Sequence, residues 1–309
     1  MLKNKKFKFL LYHGVSGYNN FRGIENFSKK HISKKLFLKQ MLFLKKNCNV
    51  ISLDKLEKYK REKDIKKNTV LISFDDGFEN NFKVAAPILK KFNLPCIFYI
   101  SSGMIGKNDM FWVDKIEDII NRTKIKYIDI ILHKKIRFSL KSKLEKIKAV
   151  EQIKKYCKNI SAIKKDKLIN SLSNVLKIKP NNKYSKNYRI MNWQQIKKLA
   201  SNNLFEIGGH SFNHDILTRL PVSKMKRSIK QSITLLEKKL NKKIKHYSYP
   251  EGQSTDYNNE IKKYLKSLGI KICPTAINGV ATLDEDNFEI KRIMVGINGK
   301  KFPFTNYRQ

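Results

Sequence analysis

The residues of this chain best suited to chemistry fall in two short stretches. Ser73-Phe74-Asp75-Asp76-Gly77 supplies two adjacent carboxylates, and Gly209-His210-Ser211-Phe212-Asn213-His214, about 135 residues later, supplies two imidazoles at positions i and i+4. One carboxylate and two imidazoles can hold a divalent metal, which leaves the second carboxylate unligated beside it as a candidate base. That is a hydrolase site in outline. Each half alone is common, because Asp-Asp-Gly suits a plain turn and a histidine pair arises by chance on surfaces. The two together, each after a short apolar run, point to a site.

The elements that must position these groups are legible. Thr69 to Phe74 reads Thr-Val-Leu-Ile-Ser-Phe and ends abruptly in polar residues, as a buried parallel strand ends. Asp75 and Asp76 therefore sit at a strand's carboxyl end, where ligands collect in α/β architectures. Neighbouring side chains there point different ways, so one Asp can ligate while the other faces substrate. Leu204 to Ile207 predicts another strand, and the His210/His214 spacing predicts a helical turn with both rings on one face. Apolar runs near 7–12, 96–101, 245–249 and 289–295 alternate with helix-like stretches at 33–46, 79–92, 223–240 and 257–268. The stretch at about 110–190 departs from this alternation. Tyr127 to Leu140 reads as a hairpin around His133-Lys134-Lys135, and Leu144, Ile147, Val150, Ile153, Cys157 and Ile160 recur at helical spacing. The expectation is one domain over residues 1–309, with a mixed hairpin and helical insertion packed near the mouth of the site. Whether the insertion is a lid, a substrate selector or a membrane-facing patch stays open.

Several further motifs stand in order around the first two: Leu10-Leu11-Tyr12-His13-Gly14-Val15, Met191-Asn192-Trp193, Glu206-Ile207-Gly208 before the histidines, Leu217-Thr218, Tyr249-Pro250-Glu251-Gly252 and Arg292-Ile293. With them the chain resembles the polysaccharide deacetylases, the NodB-homology or carbohydrate esterase family 4 enzymes. The resemblance implies a distorted (β/α) barrel of about seven strands. It implies metal-assisted removal of N-acetyl, less often O-acetyl or formyl, groups from sugars. By resemblance Asp76, His210 and His214 are ligands of a divalent ion, with zinc expected, and Asp75 is the general base. The oxyanion donor would be the backbone N–H of Glu251, after Tyr249 and Pro250. In such a site the amide carbonyl is polarised, the attacking water is acidified, and Asp75 takes its proton.

The chain also departs from the family pattern. Ser248 stands where an Arg-x-Pro-Tyr arginine would, Glu251 replaces the aromatic, and no histidine follows His246. Arg292 resembles the strand-borne arginine of the Tyr-Pro-x-Gly branch and takes the base-orienting role; a surface arginine is the plain alternative. His13 closes the first apolar run and resembles the Tyr-His of circularly permuted members, whose acid lies on the first strand. It becomes the expected general acid, against the plain reading of a packed histidine. His31, His133 and His246 show no partner spacing and read as structural or surface residues. Trp193 follows a plausible N-cap, Asn192, and reads as a core or rim residue.

Composition bounds the partners. A net charge of +40, from 66 Lys+Arg against 26 Asp+Glu in 309 residues, invites nucleic-acid or membrane hypotheses. The lysines are spread along the whole chain and greatly outnumber arginines, and no nucleic-acid-binding motif stands out, so no specific nucleic acid is expected. Attraction to an anionic membrane surface or to lipid-linked pyrophosphate sugars fits better. Four scattered cysteines fit reduced thiols in a cytoplasmic protein, and the basic, apolar N-terminus is interrupted by Lys8 too early for a signal peptide. The reading is a cytoplasmic N-deacetylase, soluble or peripheral to the inner face of the membrane. Its substrate would be an N-acetylated glycan or lipid-linked sugar intermediate for a surface polysaccharide. A catalytically impaired binding homologue and a sugar deformylase stay open.

Overall fold

The protein is described by a computed structural model covering residues 5–62 and 65–304. The chain begins with β1 (Lys6–Tyr12), the short strands β2 (Gly14–Ser16) and β3 (His31–Ser33), helix α1 (Lys34–Asn47), β4 (Asn49–Val50), α2 (Leu53–Glu62) and β5 (Thr69–Phe74). A π-helical turn (Asn81–Ala85) leads into α3 (Ala86–Lys91), followed by β6 (Cys96–Ile100) and α4 (Trp112–Arg122). A hairpin of β7 (Tyr127–Ile131) and β8 (Lys135–Ser139) precedes α5 (Lys143–Cys157) and α6 (Ala162–Val175). The remainder forms α7 (Trp193–Ala200), β9 (Phe205–Gly209), α8 (Val222–Leu240), α9 (Asn259–Ser267), β10 (Ala281–Thr282) and β11 (Ile293–Met294).

Helix starts follow local chemistry. The Ser33 side chain accepts from Leu36 N at the start of α1, and Asn192/Gln195 and Ser142/Glu145 form capping boxes on α7 and α5. For α2 the donor is met from afar: Leu53 N–H donates to Glu206 Oε1 at 2.8 Å.

Strands β1, β5, β6 and β9 lie side by side in parallel, with Tyr12 opposite Phe74, Phe74 opposite Phe98 and Ile100 opposite Gly209. Single parallel bridges carry the pairing on, from Gly209 to Tyr247, His246 to Ile272 and Asn278 to Arg292, and β11 then lies beside β1. The pairings thus pass through seven segments and return to β1, as in a distorted barrel. The strands expected at 245–249 and 289–295 survive only as these bridges and the two-residue β11. The reason is local: the Ser248 carbonyl accepts from His210 Nδ1 and the Thr275 carbonyl from Arg292 Nε, so side chains take up acceptors a ladder would use.

Alternation along the strands separates two cores. Phe7, Phe9, Leu71, Ile97, Tyr99 and Ile272 face inward together, and Leu53 and Leu56 of α2 join them at the end where the strands begin. Leu10, Tyr12, Ile72, Phe74 and Phe98 face outward against α1, α3, α7, α8 and α9. Gly208 permits a close approach, since a Cβ there would lie 2.5 Å from Tyr99 Cδ1. The region expected to be an insertion has its own core, in which Ile116, Ile119, Ile153 and Ile169 join α4, α5 and α6, and the hairpin adds Ile128 and Phe138. The expected hairpin is present, and helices complete the region as expected. All four cysteines are free thiols, and among the described residues no helix is long and apolar enough to cross a membrane.

Candidate active site

Asp75 extends the β5 ladder, its N–H donating to the Tyr12 carbonyl at 3.0 Å. At Asp76 the chain turns sharply into a left-handed conformation (φ 79°), which sends the two carboxylates apart. The Asp76 carbonyl accepts from Ser101 N, and His210 N–H donates to the Ile100 carbonyl, so both residues are tied to the end of β6.

The helical turn expected at residues 210–214 does not form. These residues are an irregular loop in which Ser211 and His214 both adopt φ 60°, and Ser211 N–H is held by the Tyr247 hydroxyl at 2.7 Å. A left-handed residue breaks a helix at its first step, yet the loop still brings the two rings to 5.0 Å between centroids. The i, i+4 spacing pairs the two rings without a helix.

Asp76 Oδ1 lies 3.1 Å from His214 Nε2 and 3.4 Å from His210 Nε2. The three donors lie within 4.8 Å of one another and all three residues are buried. His210 Nδ1 sits 2.8 Å from the Ser248 carbonyl, which fixes the ring so that Nε2 faces Asp76. Burial alone would raise the Asp76 pKa, but His214 and His210 hold it well below the usual carboxylate range. The His214 pKa is raised, burial being outweighed by Asp76 and Glu251 together. Asp76 Oδ1 is buried without a hydrogen-bond partner. One ionised carboxylate oxygen and two converging Nε2 atoms fit a divalent cation, with room for a fourth ligand from solvent or substrate.

Asp75 is held by a different device. Arg292 is wholly buried, and its Nη1 and Nη2 donate to Asp75 Oδ1 and Oδ2, each at 2.8 Å. Ser248 Oγ accepts from Nη2 at 2.8 Å, Ser73 Oγ from Nη1 at 3.2 Å and the Thr275 carbonyl from Nε at 2.6 Å. The guanidinium also lies 5.6 Å from the Tyr99 ring centroid, among the inward-facing residues. Arg292 is therefore not a surface residue. The departure at Ser248 is compatible with this: a small side chain stands there, and the charge arrives from the opposite segment. Burial works to raise the Asp75 pKa, and Arg292, with His210 and His13, more than offsets it, so the carboxyl stays ionised.

A cavity of about 590 Å³ opens above these groups and is lined by His13, Asp75, Asp76, His210, His214 and Glu251, with Lys154 of α5 and Lys158 just after it on one wall. His13 is half-buried there, its Nδ1 lacks a hydrogen-bond partner, and burial lowers its pKa despite the attraction of Asp76 and Asp75. Glu251 adopts φ 61° and its carboxylate meets Lys158 Nζ at 2.6 Å, tying the barrel rim to the insertion. Among the described residues its backbone N–H has no intramolecular acceptor. Tyr249 lies outside the cavity: it stacks on Tyr257 at 4.5 Å, and its hydroxyl donates to the Phe288 carbonyl. Pro250 is buried and does not line the cavity either. Of the Tyr-Pro-Glu trio, only Glu251 reaches the pocket, because Tyr249 packs into the core that faces the helices. Nothing in the local sequence of Ser73 and Thr275 marks them as partners of a distant arginine.

The curated relatives include the poly-beta-1,6-N-acetyl-D-glucosamine N-deacetylases of Staphylococcus aureus strains MSSA476 and COL, 30% identical over 100 residues. That match spans about a third of each protein, 32% of this chain and 33% of the relative. Among solved structures, IcaB from Ammonifex degensii aligns over 95% of this chain and 93% of its own with a TM-score of 0.59 at 16% identity. The Streptococcus pyogenes deacetylase PplD in complex with acetate aligns over 96% and 94%, with the same TM-score and identity. These likenesses show the α/β fold with its parallel sheet. The family profile described as polysaccharide deacetylase matches residues 62–169 and 174–273, well over half of the sequence, and the chain belongs to the polysaccharide deacetylase family.

Proposed function

We propose that this chain is a metal-dependent N-deacetylase that removes acetyl groups from an N-acetylated sugar of a glycan or lipid-linked intermediate, and that residues 1–309 act as one catalytic unit. The observation that carries the reading is the division of labour between adjacent carboxylates. Asp75 is clamped by Arg292, while Asp76 converges with His210 and His214 in the same cavity. A relative that deacetylates a poly-N-acetylglucosamine, similar over a third of its length, supports the substrate class.

A divalent ion, zinc by the nitrogen-rich donor set, would be held by Asp76, His210 and His214 and would supply Lewis-acid polarisation of the amide carbonyl and acidify water. The remaining chemistry belongs to the chain. Asp75, ionised and fixed in orientation by the bidentate arginine, accepts the proton of the attacking water. The arginine costs some basicity, because it favours the charged carboxylate, but it keeps both oxygens in place. The free N–H of Glu251 donates to the oxyanion as the carbonyl carbon becomes tetrahedral. His13 donates to the leaving amine. A lowered pKa makes its imidazolium the stronger acid while shrinking the protonated fraction at neutral pH.

The test is acetate and formate release from a panel of N-acetylated and N-formylated glycans and lipid- or nucleotide-linked sugars, with and without chelator. Chelator-sensitive acetate release is expected. Formate release without acetate would transfer the reading to a deformylase, and no release of either would leave a binding protein.

A further inference from the structure

A second cluster of metal-ligating groups lies at the opposite end of the strands, away from the cavity. His246, read from sequence as structural or surface, is 3% exposed and faces three carboxylates. Its Nε2 lies 3.3 Å from Glu206 Oε2, 3.7 Å from Asp54 Oδ1 and 3.9 Å from Glu57 Oε1. Neither ring nitrogen makes a hydrogen bond, and Glu57 Oε1 is likewise buried without a partner. The donors of Asp54, Glu57 and His246 lie within 4.8 Å of one another.

We propose that Asp54, Glu57, Glu206 and His246 form a second divalent-cation site, for zinc or a similar ion, which fastens α2 to the barrel. The spacing is the first argument. Ligands about 2.0–2.2 Å from a tetrahedral ion lie about 3.3–3.6 Å apart, close to the distances from Nε2 here. The second argument is orientation. Glu206 gives Oε1 to the Leu53 N–H, which leaves Oε2 turned towards His246, as an outer hydrogen bond sets a ligating carboxylate. The third is charge. Three carboxylates gather around one imidazole, and among the described residues the one ion pair they make with a lysine is that of Asp54 with Lys245, at 3.6 Å on the solvent side. An ion can enter from that side, where Asp54 is 60% exposed. All four ligands come from elements that close the amino end of the barrel: α2 supplies Asp54 and Glu57, β9 Glu206 and the bridged segment His246. This site does not depend on the catalytic reading, and a protonated His246 balancing the carboxylates is the rival occupant.

Zinc bound per chain, measured by elemental analysis on untagged full-length protein equilibrated with zinc and freed of excess, distinguishes them. Wild type is expected to hold two ions, His214→Ala one, and His246→Gln one with acetate release kept. Glu57→Gln sits on half-buried α2 and guards against misfolding of the histidine variant; it too should hold one. Added zinc should still raise the melting temperature of His214→Ala, and that rise should vanish in His214→Ala combined with Glu57→Gln. One ion in wild type that is unchanged by His246→Gln overturns the proposal, and so does a second ion that persists in both His246→Gln and Glu57→Gln. Failure at the catalytic centre alone would appear as loss of the ion sensitive to His214→Ala.

Discussion

The two ends of the barrel carry similar ingredients in different proportions. At the carboxyl end two imidazoles face one carboxylate, all buried, on loops where Asp76, Ser211, His214 and Glu251 are held in left-handed conformations. At the amino end one imidazole faces three carboxylates that are partly solvated, on the regular elements α2 and β9 and a bridged segment. The strained, enclosed end has a cavity and a clamped spare carboxylate, and the amino-end cluster does not line that cavity. Backbone strain persists only where surrounding contacts over-determine it, and such places are where chemistry is done. A cluster on relaxed elements is suited to holding structure.

Exhaustive chelation tests this contrast most strongly. It should abolish acetate release through the carboxyl end and lower thermal stability through the amino end, and activity that survives full metal removal, checked by elemental analysis, would end the catalytic side of the comparison. Next is Asp75→Asn, which keeps Asp76, His210 and His214 intact. It should cut kcat by about 10²–10⁴-fold while the catalytic ion stays bound, and loss of the ion together with the rate would make Asp75 a ligand instead of a base. Arg292→Met breaks a buried ion pair, so urea denaturation should show a loss of about 3–5 kcal/mol; a near-neutral result would mean that Asp75 protonates or hydrates at little cost. The smallest effect belongs to Lys158→Met. Its pair with Glu251 is half-exposed at the lysine, so stability should change by no more than about 1 kcal/mol, and KM should move more than kcat if α5 merely walls the cavity. A kcat change without a KM change would place that contact in the chemistry.

What could be read in the sequence was local. The β5 run and the Asp-Asp-Gly after it are adjacent, so hydrophobic pattern and chemistry could be read in one stretch. Asn192 before α7 and the hairpin around residues 127–140 were legible for the same reason. The loop at 210–214 was not, because its φ values are imposed by the Tyr247 hydroxyl and the β6 carbonyl, neither of which is near it in sequence. Arg292 illustrates the middle ground: among so many basic residues its alternating surroundings suggested a strand, but only burial beside Asp75 separates it from a solvated charge. The surroundings of His246 were illegible, since its three carboxylate neighbours come from residues 54, 57 and 206, with no spacing to connect them.

The sequence by itself determined the class of fold, the pair of carboxylates at a strand end and the pair of histidines able to join one of them. These follow from residue type and from periods of two and 3.6, which act over a few neighbours. Tertiary structure alone decided that Arg292 grips Asp75, that only Glu251 of its trio reaches the cavity, that the insertion lines one wall, and that His246 faces an acidic cluster at the far end. Those outcomes depend on how the ring of pairings closes. Closure is set by packing between segments as far as 283 residues apart, as where Leu10 of β1 meets Ile293 of β11, and no short window of sequence contains it.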